Sequence, residues 1–294
     1  IVQFPWANSH GYTDYKRVLD LDKATAVTEY KIGNTTYTRE AFCSNPDQVM
    51  AFKYSTDDKT KISFTLSMNY PKQMEGHGAF SKVEGNDTIV MWGRAPSIYG
   101  KWDNGHEGIV SMAQLKIIPL GGTVTAKGNK LIVSGADEVI MLYSCDTSFI
   151  DAQTSAKYVK GSATDPESNV RGNIKKAVKK GYERLLSDHQ KDHRSLFRKT
   201  YVEFDGSHTH DHIKAFHYAK YELLATTRDT TITRNGTKIP SERFHHQYGG
   251  SNHSWMTRAS HFLNENVEKH FGFVETANMP SVAEPLMRWI KELS

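Results

Sequence analysis

The sequence predicts a large antiparallel β-sandwich that is followed by helices. Residues 1 to about 150 alternate apolar and polar side chains between closely spaced turn signals, without helical periodicity. From Asp165 onward the apolar spacing becomes helical. The chain has 294 residues, which is comfortable for two domains. A helical layer cannot cover both of its faces by itself, so we expect it to pack on the sandwich or on further sequence.

The strand predictions rest on hairpin signals and on buried runs. Residues 62–68, "ISFTLSM", alternate as a half-buried strand does. Strand-like arms flank the turn signals Gly33–Asn34 and Gly128–Asn129. Residues 137–145, "DEVIMLYSC", contain a continuous apolar run, which predicts a strand that is buried on both faces.

One or two linking helices are predicted after the sandwich. Asp165 and Pro166 form a good helix start, because proline at the first helical position loses no hydrogen bond. Gly172 and Gly181 weaken or divide the helical pattern, at a cost of about 1 kcal/mol each relative to alanine. The segment ends in a predicted short strand at residues 200–206, "TYVEFDG".

From about residue 207 the pattern predicts helices with long loops. A further helix is predicted from Ser281, which stands at capping-box spacing from Glu284 and precedes an apolar stripe in residues 286–293. The first helix of this part has one apolar face, formed by Ile213, Phe216, Ala219 and Leu223.

Composition and charge exclude several classes of protein. The net charge of +4 is too mild to indicate a nucleic-acid-binding protein. No run of 18 apolar residues occurs, so no transmembrane helix is expected. The N-terminus lacks the basic and apolar regions of a signal peptide. Because the chain starts at Ile1 in a strand-like run and stops at Ser294 in a helical one, we expect that it is a fragment or a processed chain.

The cysteines and the glycosylation sequons bear on the compartment. Cys43 and Cys145 lie in strand-like segments, and we expect two buried thiols rather than a disulfide. Asn-x-Ser/Thr sequons are compatible with a secreted or otherwise extracytoplasmic protein. They occur at Asn34, Asn86, Asn235 and Asn252.

No metal or cofactor is predicted. The helical part is rich in histidine, but the spacing matches neither H-E-x-x-H nor a facial triad. Residues 208–212, "HTHDH", are better explained as a polar loop and a helix cap. The chain has no G-x-S-x-G nucleophile elbow and no strand followed by G-x-G-x-x-G.

Residues 243–262, "RFHHQYGGSNHSWMTRASHF", mix aromatic and polar side chains in one long loop. Such mixtures bind sugars, because apolar ring faces stack on aromatics while hydroxyls take polar partners. Composition alone favours an ordinary loop anchored by Trp255.

Asn264 and Asn266 follow this loop. Their side chains lie on the same face only if the backbone before the next helix is extended. Asn266 would then cap a helix that starts at Val267, and on the residues alone this capping role is favoured.

The order of motifs resembles glycoside hydrolase family 95, the inverting alpha-L-fucosidases. The segments "LDLDKATA", "YTREAFCSNPDQV", "GNDTIVMWGRA" and "AQLKIIPLGGTVTAKGNKLIVSGADEV" are similar to its N-terminal β domain. "KGYERLLSDHQKDHRSLF" is similar to its linker, and "FHYAKYELLATTR" to the first helix of its catalytic barrel. The resemblance implies a β super-sandwich at 1–160, a helical linker at 161–206 and a truncated (alpha/alpha) six-hairpin barrel at 207–294.

The implied reaction is hydrolysis of a terminal alpha-linked L-fucose, or a similar sugar, with inversion. Asn264 and Asn266 fall on family asparagines that help to orient the attacking water together with a carboxylate, since asparagine is no strong base. The resemblance further implies substrate contacts for His261, Trp255 and Glu275. The intervening residues depart from the family pattern, and His261 stands one place from the family histidine.

The general acid and the supporting carboxylate lie further downstream in that family. We therefore expect this chain alone to be inactive, with a glycan as substrate and the remaining barrel as a longer or second chain. A non-catalytic carbohydrate-binding protein is one alternative, which the altered residues 268–274 motivate. The other is a structural subunit whose helical part forms an interface.

Overall fold

The computed structural model describes residues 2–4, 11–59, 62–69, 79–94, 108–150, 158–206, 209–244 and 271–293. The strands are β1 (Val2–Gln3), β2 (Thr13–Asp20), β3 (Thr25–Ile32), β4 (Thr35–Ser44), β5 (Val49–Thr56), β6 (Ile62–Leu66), β7 (Phe80–Glu84), β8 (Thr88–Arg94), β9 (Val110–Leu120), β10 (Thr123–Lys127), β11 (Lys130–Ala136), β12 (Glu138–Thr147), β13 (Thr227–Arg234) and β14 (Thr237–Phe244). The helices are α1 (Glu167–Lys180), α2 (Tyr182–Phe197), α3 (Thr209–Thr226), a 3-10 helix (Pro280–Val282) and α4 (Glu284–Leu293).

Two antiparallel sheets form the sandwich, as predicted. The larger has eight strands in the order β2-β3-β4-β5-β12-β9-β8-β7, and the smaller has four in the order β1-β6-β11-β10. Apolar side chains from both sheets meet in an inner core, which is the usual way for two sheets to bury their facing sides. The inner core includes Ile62, Phe64, Leu66, Ile117, Leu131, Val139 and Met141.

The predicted doubly buried strand is β12, at the centre of the large sheet. Val139 and Met141 belong to the inner core, whereas Leu142 belongs to an outer core between the large sheet and the linking helices. Successive side chains of a strand point to opposite faces, so a strand covered on both sides needs apolar residues throughout. The predicted hairpins at Gly33 and Gly128 are also confirmed, since each glycine has a positive φ in the turn between two paired strands.

Helices α1 and α2 cover the outer face of the large sheet. Helix α1 begins at Glu167, so Pro166 stands at the cap position, one place before the first helical position predicted for it. Asp165 Oδ1 accepts a hydrogen bond of 3.0 Å from the backbone nitrogen of Glu167. Gly172 stays within α1, but Gly181 breaks the helix with φ 80° and ψ 156°. The outer core joins both layers through Phe42, Val49, Ala51, Leu142, Ile174, Ala177, Tyr182 and Leu185.

The strand predicted at residues 200–206 is wrong, since none of the described residues there is in a strand. The backbone carbonyl of Thr200 instead accepts a hydrogen bond of 2.5 Å from the ammonium group of Lys220. The Thr200 hydroxyl donates to the carbonyl of Ala277. These contacts of Thr200 bind the segment to helix α3 and to the turns at 272–278.

The prediction of helices and loops alone after residue 207 is also wrong, because a hairpin of β13 and β14 follows α3 directly. Its turn residues Asn235 and Gly236 have φ of 49° and 82°. Two positive φ values are typical of a type I′ turn, for which Asn-Gly is the strongest short-range signal. The limits 1–160, 161–206 and 207–294 remain predictions.

Three smaller expectations need correction. Ala219 is exposed, and the buried side of α3 instead carries Lys220, Leu223 and Leu224. Ser281 lies inside the 3-10 helix rather than capping α4, which begins at Glu284. Cys43 and Cys145 are not disulfide-bonded, but both are exposed rather than buried.

The described helices include none that is long and apolar enough to cross a membrane.

Candidate functional site

A cavity of about 440 Å³ lies where the β4–β5 turn meets helices α2 and α3. The sheet contributes Phe42 and both cysteines to its lining. The helical part contributes His189, Asp192, His193, Tyr221 and Arg228. The cavity therefore lies between the sandwich and the first elements of the helical part.

Two histidines of α2 form hydrogen bonds with the turn between β2 and β3. The Nε2 atom of His189 lies 3.1 Å from the carbonyl oxygens of both Lys23 and Ala24. The Nε2 atom of His193 lies 2.8 Å from the carbonyl oxygen of Leu21. A carbonyl oxygen only accepts, so in each ring Nε2 carries the proton and Nδ1 is the acceptor of the neutral ring. Burial lowers the pKa of both imidazoles and favours this neutral form.

The two imidazoles belong to a ladder of stacked rings. His189 stacks on Phe42 with centroids 4.9 Å apart, and His193 stacks on Phe197 with centroids 5.1 Å apart. Residues 189, 193 and 197 are each four apart on α2, so their side chains lie on one helix face. The ladder connects β4 to α2 through flat apolar surfaces.

Asp192 and Arg228 form an ion pair at the cavity wall. One terminal guanidinium nitrogen of Arg228 lies 2.8 Å from each carboxylate oxygen of Asp192. Both side chains are largely buried, so the pair is only partly screened by water. The charge of Asp192 is thereby compensated, and this carboxylate is not poised to act as a general base.

The chemistry of this lining favours binding of an uncharged polar molecule. Aromatic faces, neutral imidazoles and amide groups suit a sugar, whose ring stacks while its hydroxyls form hydrogen bonds. Asp192 is the single carboxylate among the described lining residues, whereas inverting glycosidases use two that are about 6.5–9.5 Å apart. Within the described ranges, no group of three histidine, cysteine or acidic side chains could hold a metal ion.

Most of the residues predicted for the site fall outside the described part of the chain: Trp255, His261, Asn264 and Asn266. Glu275 is described and is exposed in the turns that follow Phe271. Its backbone carbonyl accepts a hydrogen bond of 3.0 Å from Asn278, and it does not line the cavity.

Sequence reasoning missed the cavity residues of α2. The available signal was the spacing in "DHQKDH", which puts His189 and His193 four residues apart on an amphipathic helix with Asp192 beside them. Arg228 had no such signal, because its role depends on the hairpin that begins at Thr227.

Comparisons with known proteins connect this architecture to carbohydrate enzymes. The chain is 25% identical to "Alpha-L-fucosidase 2" of Arabidopsis thaliana in an alignment 317 positions long, which covers 95% of this chain and 36% of that protein. It is 24% identical to "Probable alpha-fucosidase A" of Aspergillus niger in an alignment 301 positions long, which covers 95% of this chain and 35% of that protein. The chain thus spans about a third of the length of these relatives, and the predicted resemblance to alpha-L-fucosidases is confirmed.

A solved structure shares the fold. "Putative kojibiose phosphorylase from human microbiome" superimposes with a TM-score of 0.52 at 11% identity, over 79% of this chain and 32% of that one. Residues 2–152 match the family described as glycosyl hydrolase family 65, N-terminal domain, and this match covers the whole sandwich. The chain therefore belongs to the glycosyl hydrolase family 65 N-terminal domain family.

Proposed function

We propose that this chain is part of a glycoside hydrolase that removes a terminal alpha-linked L-fucose, or a similar sugar, with inversion. One observation carries the proposal: the similarity to alpha-fucosidases extends beyond the sandwich and through the helical part. A sandwich alone would support only a shared fold, because fold does not imply function.

In this proposal the residues from 207 onward begin an (alpha/alpha) barrel that holds the sugar. Asn264 and Asn266 orient the attacking water, and His261, Trp255 and Glu275 contact the substrate. A carboxylate must support the asparagines, because an amide cannot take the proton of water. The described cavity does not supply it, since Asp192 is paired with Arg228. We therefore propose that the 294-residue chain alone does not turn over.

We further propose an extracytoplasmic location. Asn34 and Asn86 lie exposed in turns between strands, where a glycan could be accommodated. The side-chain amide of Asn235 instead donates a hydrogen bond of 2.5 Å to the carbonyl of Ser162.

Turnover of an aryl alpha-L-fucoside tests the proposal. This chain and the protein encoded by its full reading frame are assayed side by side. We expect turnover by the longer protein, with beta-L-fucose as the first product seen by NMR. We expect Asn264→Ala and Asn266→Ala each to lower kcat by about 10²–10⁴, the range for a misdirected proton transfer. A longer protein that folds but does not hydrolyse the fucoside would contradict the proposed activity. Turnover by this chain alone would contradict the proposal that it is inactive by itself.

A non-catalytic carbohydrate-binding or structural subunit is the second candidate. The observation that favours it is the single, ion-paired carboxylate at the described cavity. Binding of L-fucose by a longer protein that lacks turnover would select this candidate.

A further inference from the structure

One part of the inner face of the large sheet lies outside the inner core. Among the described residues, the buried members of that core come from β6, β8, β9, β11 and β12, and none comes from β2, β3 or β4. Strand β2 forms one edge of the sheet and is exposed along most of its length. Within the described ranges, aromatic side chains pack against one another on this part of the face.

A β-bulge in β2 determines where two of these side chains point. The pairing runs from Thr13–Lys31 to Lys16–Glu29, so three steps along β2 match two steps along β3. Asp14, inside the bulge, has a φ of 52°, which few residues other than glycine, asparagine and aspartate adopt. A bulge of this kind changes the direction in which the neighbouring side chains point.

The bulge brings Tyr12 and Tyr15 together. Residues three apart in a regular strand lie on opposite faces. Here the two ring centroids are 5.6 Å apart and the rings are inclined by 54°, so they form a shallow notch. Tyr12 is 64% exposed and Tyr15 is 53% exposed. The unusual backbone therefore does not serve the inner core, since both rings remain in solvent.

The rings behind the notch are held rigidly. The Tyr12 ring packs edge-on against Tyr30, with centroids 6.4 Å apart, and Tyr30 stacks on Tyr37 with an inclination of 5°. The Arg39 guanidinium donates a hydrogen bond of 2.5 Å to the Tyr30 hydroxyl and lies 5.0 Å from the centroid of that ring. Tyr30 and Tyr37 are buried, so they support the exposed pair without presenting their own faces.

The charges of Asp14 and Arg39 beside the notch are each matched within the protein. The Asp14 carboxylate lies 2.9 Å from the Lys31 ammonium group, so the charge inside the bulge is compensated. The Arg39 guanidinium is enclosed by three aromatic rings, those of Phe4, Tyr30 and Tyr54. Inclined phenol rings offer apolar faces for the C–H side of a pyranose, and their hydroxyls donate to and accept from its oxygens.

We propose that Tyr12 and Tyr15 form a glycan-binding notch for a neutral pyranose unit on strand β2. The choice of a glycan as the partner rests on the proposed function. The notch itself rests on the bulge and on the exposed, rigidly supported ring pair.

NMR titration of the chain with ¹³C-labelled tyrosine rings tests this proposal. The probes are a neutral fucosylated lactose trisaccharide and lactose itself. We expect saturable shifts of the Tyr12 and Tyr15 resonances with at least one probe, and none for the exposed Tyr201, which serves as the internal control. The double variant Tyr12→Ala/Tyr15→Ala should weaken binding at least tenfold, with an unchanged unfolding midpoint.

A second pair of variants isolates the bulge. Asp14→Gly removes the ion pair with Lys31 but tolerates a positive φ, so binding should persist. Asp14→Val removes the same ion pair and disfavours that φ, so binding should weaken several-fold. Equal binding by both variants, or no tyrosine shift with either sugar, would overturn the notch. A negative fucosidase assay would not overturn the notch, because the titration measures binding and does not depend on turnover.

Discussion

Arg234 at the end of β13 donates a hydrogen bond of 2.7 Å to Oδ2 of Asp146 near the end of β12, although 88 residues separate them in sequence. Arg234 is 1% exposed and also donates to the carbonyl of Ala163 at 3.0 Å. The same Oδ2 atom accepts a bond of 2.9 Å from Asn169 on α1. One carboxylate thus connects the sandwich, the first linking helix and the hairpin.

Loss of this carboxylate should destabilise the protein strongly. Asp146→Ala leaves the buried Arg234 charge uncompensated, and we expect about 3–5 kcal/mol of lost unfolding free energy in urea titrations. The double variant Asp146→Ala/Arg234→Met should recover part of the loss, because no unpaired charge then remains. A loss below about 1 kcal/mol for the single variant would show that the pair contributes little.

Gly181 and Gly172 form a matched pair of helix glycines. Alanine at either position would meet no atom within 4 Å, so the substitutions differ only in backbone conformation. Gly181→Ala should cost about 1–3 kcal/mol, since φ 80° with ψ 156° is essentially restricted to glycine. Gly172→Ala, inside α1, should stabilise by about 0.4–1 kcal/mol. Thermal unfolding of both variants checks the prediction, and equal shifts would refute it.

His189 and His193 should make stability fall in mild acid. Burial lowers the pKa of both imidazoles, so below about pH 6.5 the unfolded chain binds protons that the folded chain does not. Each histidine then contributes a slope of at most about 1.4 kcal/mol per pH unit, with stability lost as the pH falls. The charged groups that face them, Asp192 and Arg228, compensate each other.

Urea titrations between pH 7 and pH 5 measure this slope. His189→Gln and His193→Gln keep an N–H donor for the turn carbonyls and remove the titration, so each should flatten the profile. His210→Gln, at an exposed position on α3, is the control.

Lys220 should make stability depend on pH in alkali, in the same direction as the histidines do in mild acid. Its ammonium group is buried against the Phe197 ring, at 4.2 Å from the centroid, and burial lowers its pKa to about 8. The folded chain binds fewer protons than the unfolded chain between that value and the ordinary 10.5, so stability should rise with pH in this window.

Lys220→Met should remove that rise and stabilise the protein at pH 7 by about 1–3 kcal/mol, because it removes a buried charge that has no carboxylate partner among the described residues. Lys214→Met, at an exposed position on the same helix, should change stability by less than about 0.5 kcal/mol. Calorimetry at pH 7 and pH 9.5 distinguishes the outcomes; a parallel pH profile for Lys220→Met would contradict the assignment.

Local patterns predicted the sandwich well. Gly33 and Gly128 marked two hairpins, and the run in residues 137–145 identified the central strand, because alternation and turn chemistry are properties of short segments. The break at Gly181 was predictable for the same reason.

Long-range contacts explain what the sequence could not predict. Residues 200–206 looked like a strand, but the backbone carbonyl of Thr200, which a neighbouring strand would use, accepts a hydrogen bond from Lys220 instead. The burial of Lys220 contradicts its residue type, and it is explained by the rings of Phe197 and Phe216 together with the carbonyl of Thr200. The hairpin at Asn235–Gly236 was different, since its turn signal was present in the sequence and was overlooked.

The outer core has a consequence for where this protein can be cut. Phe42, Val49 and Leu142 lie on the side of the large sheet that α1 and α2 cover, although residues 2–152 already contain every strand of both sheets. A protein that ends after residue 152 would therefore present a continuous apolar wall to water, and such surfaces cause aggregation. A protein that keeps this core covered must extend through α2, so it is longer than the family domain that matches residues 2–152.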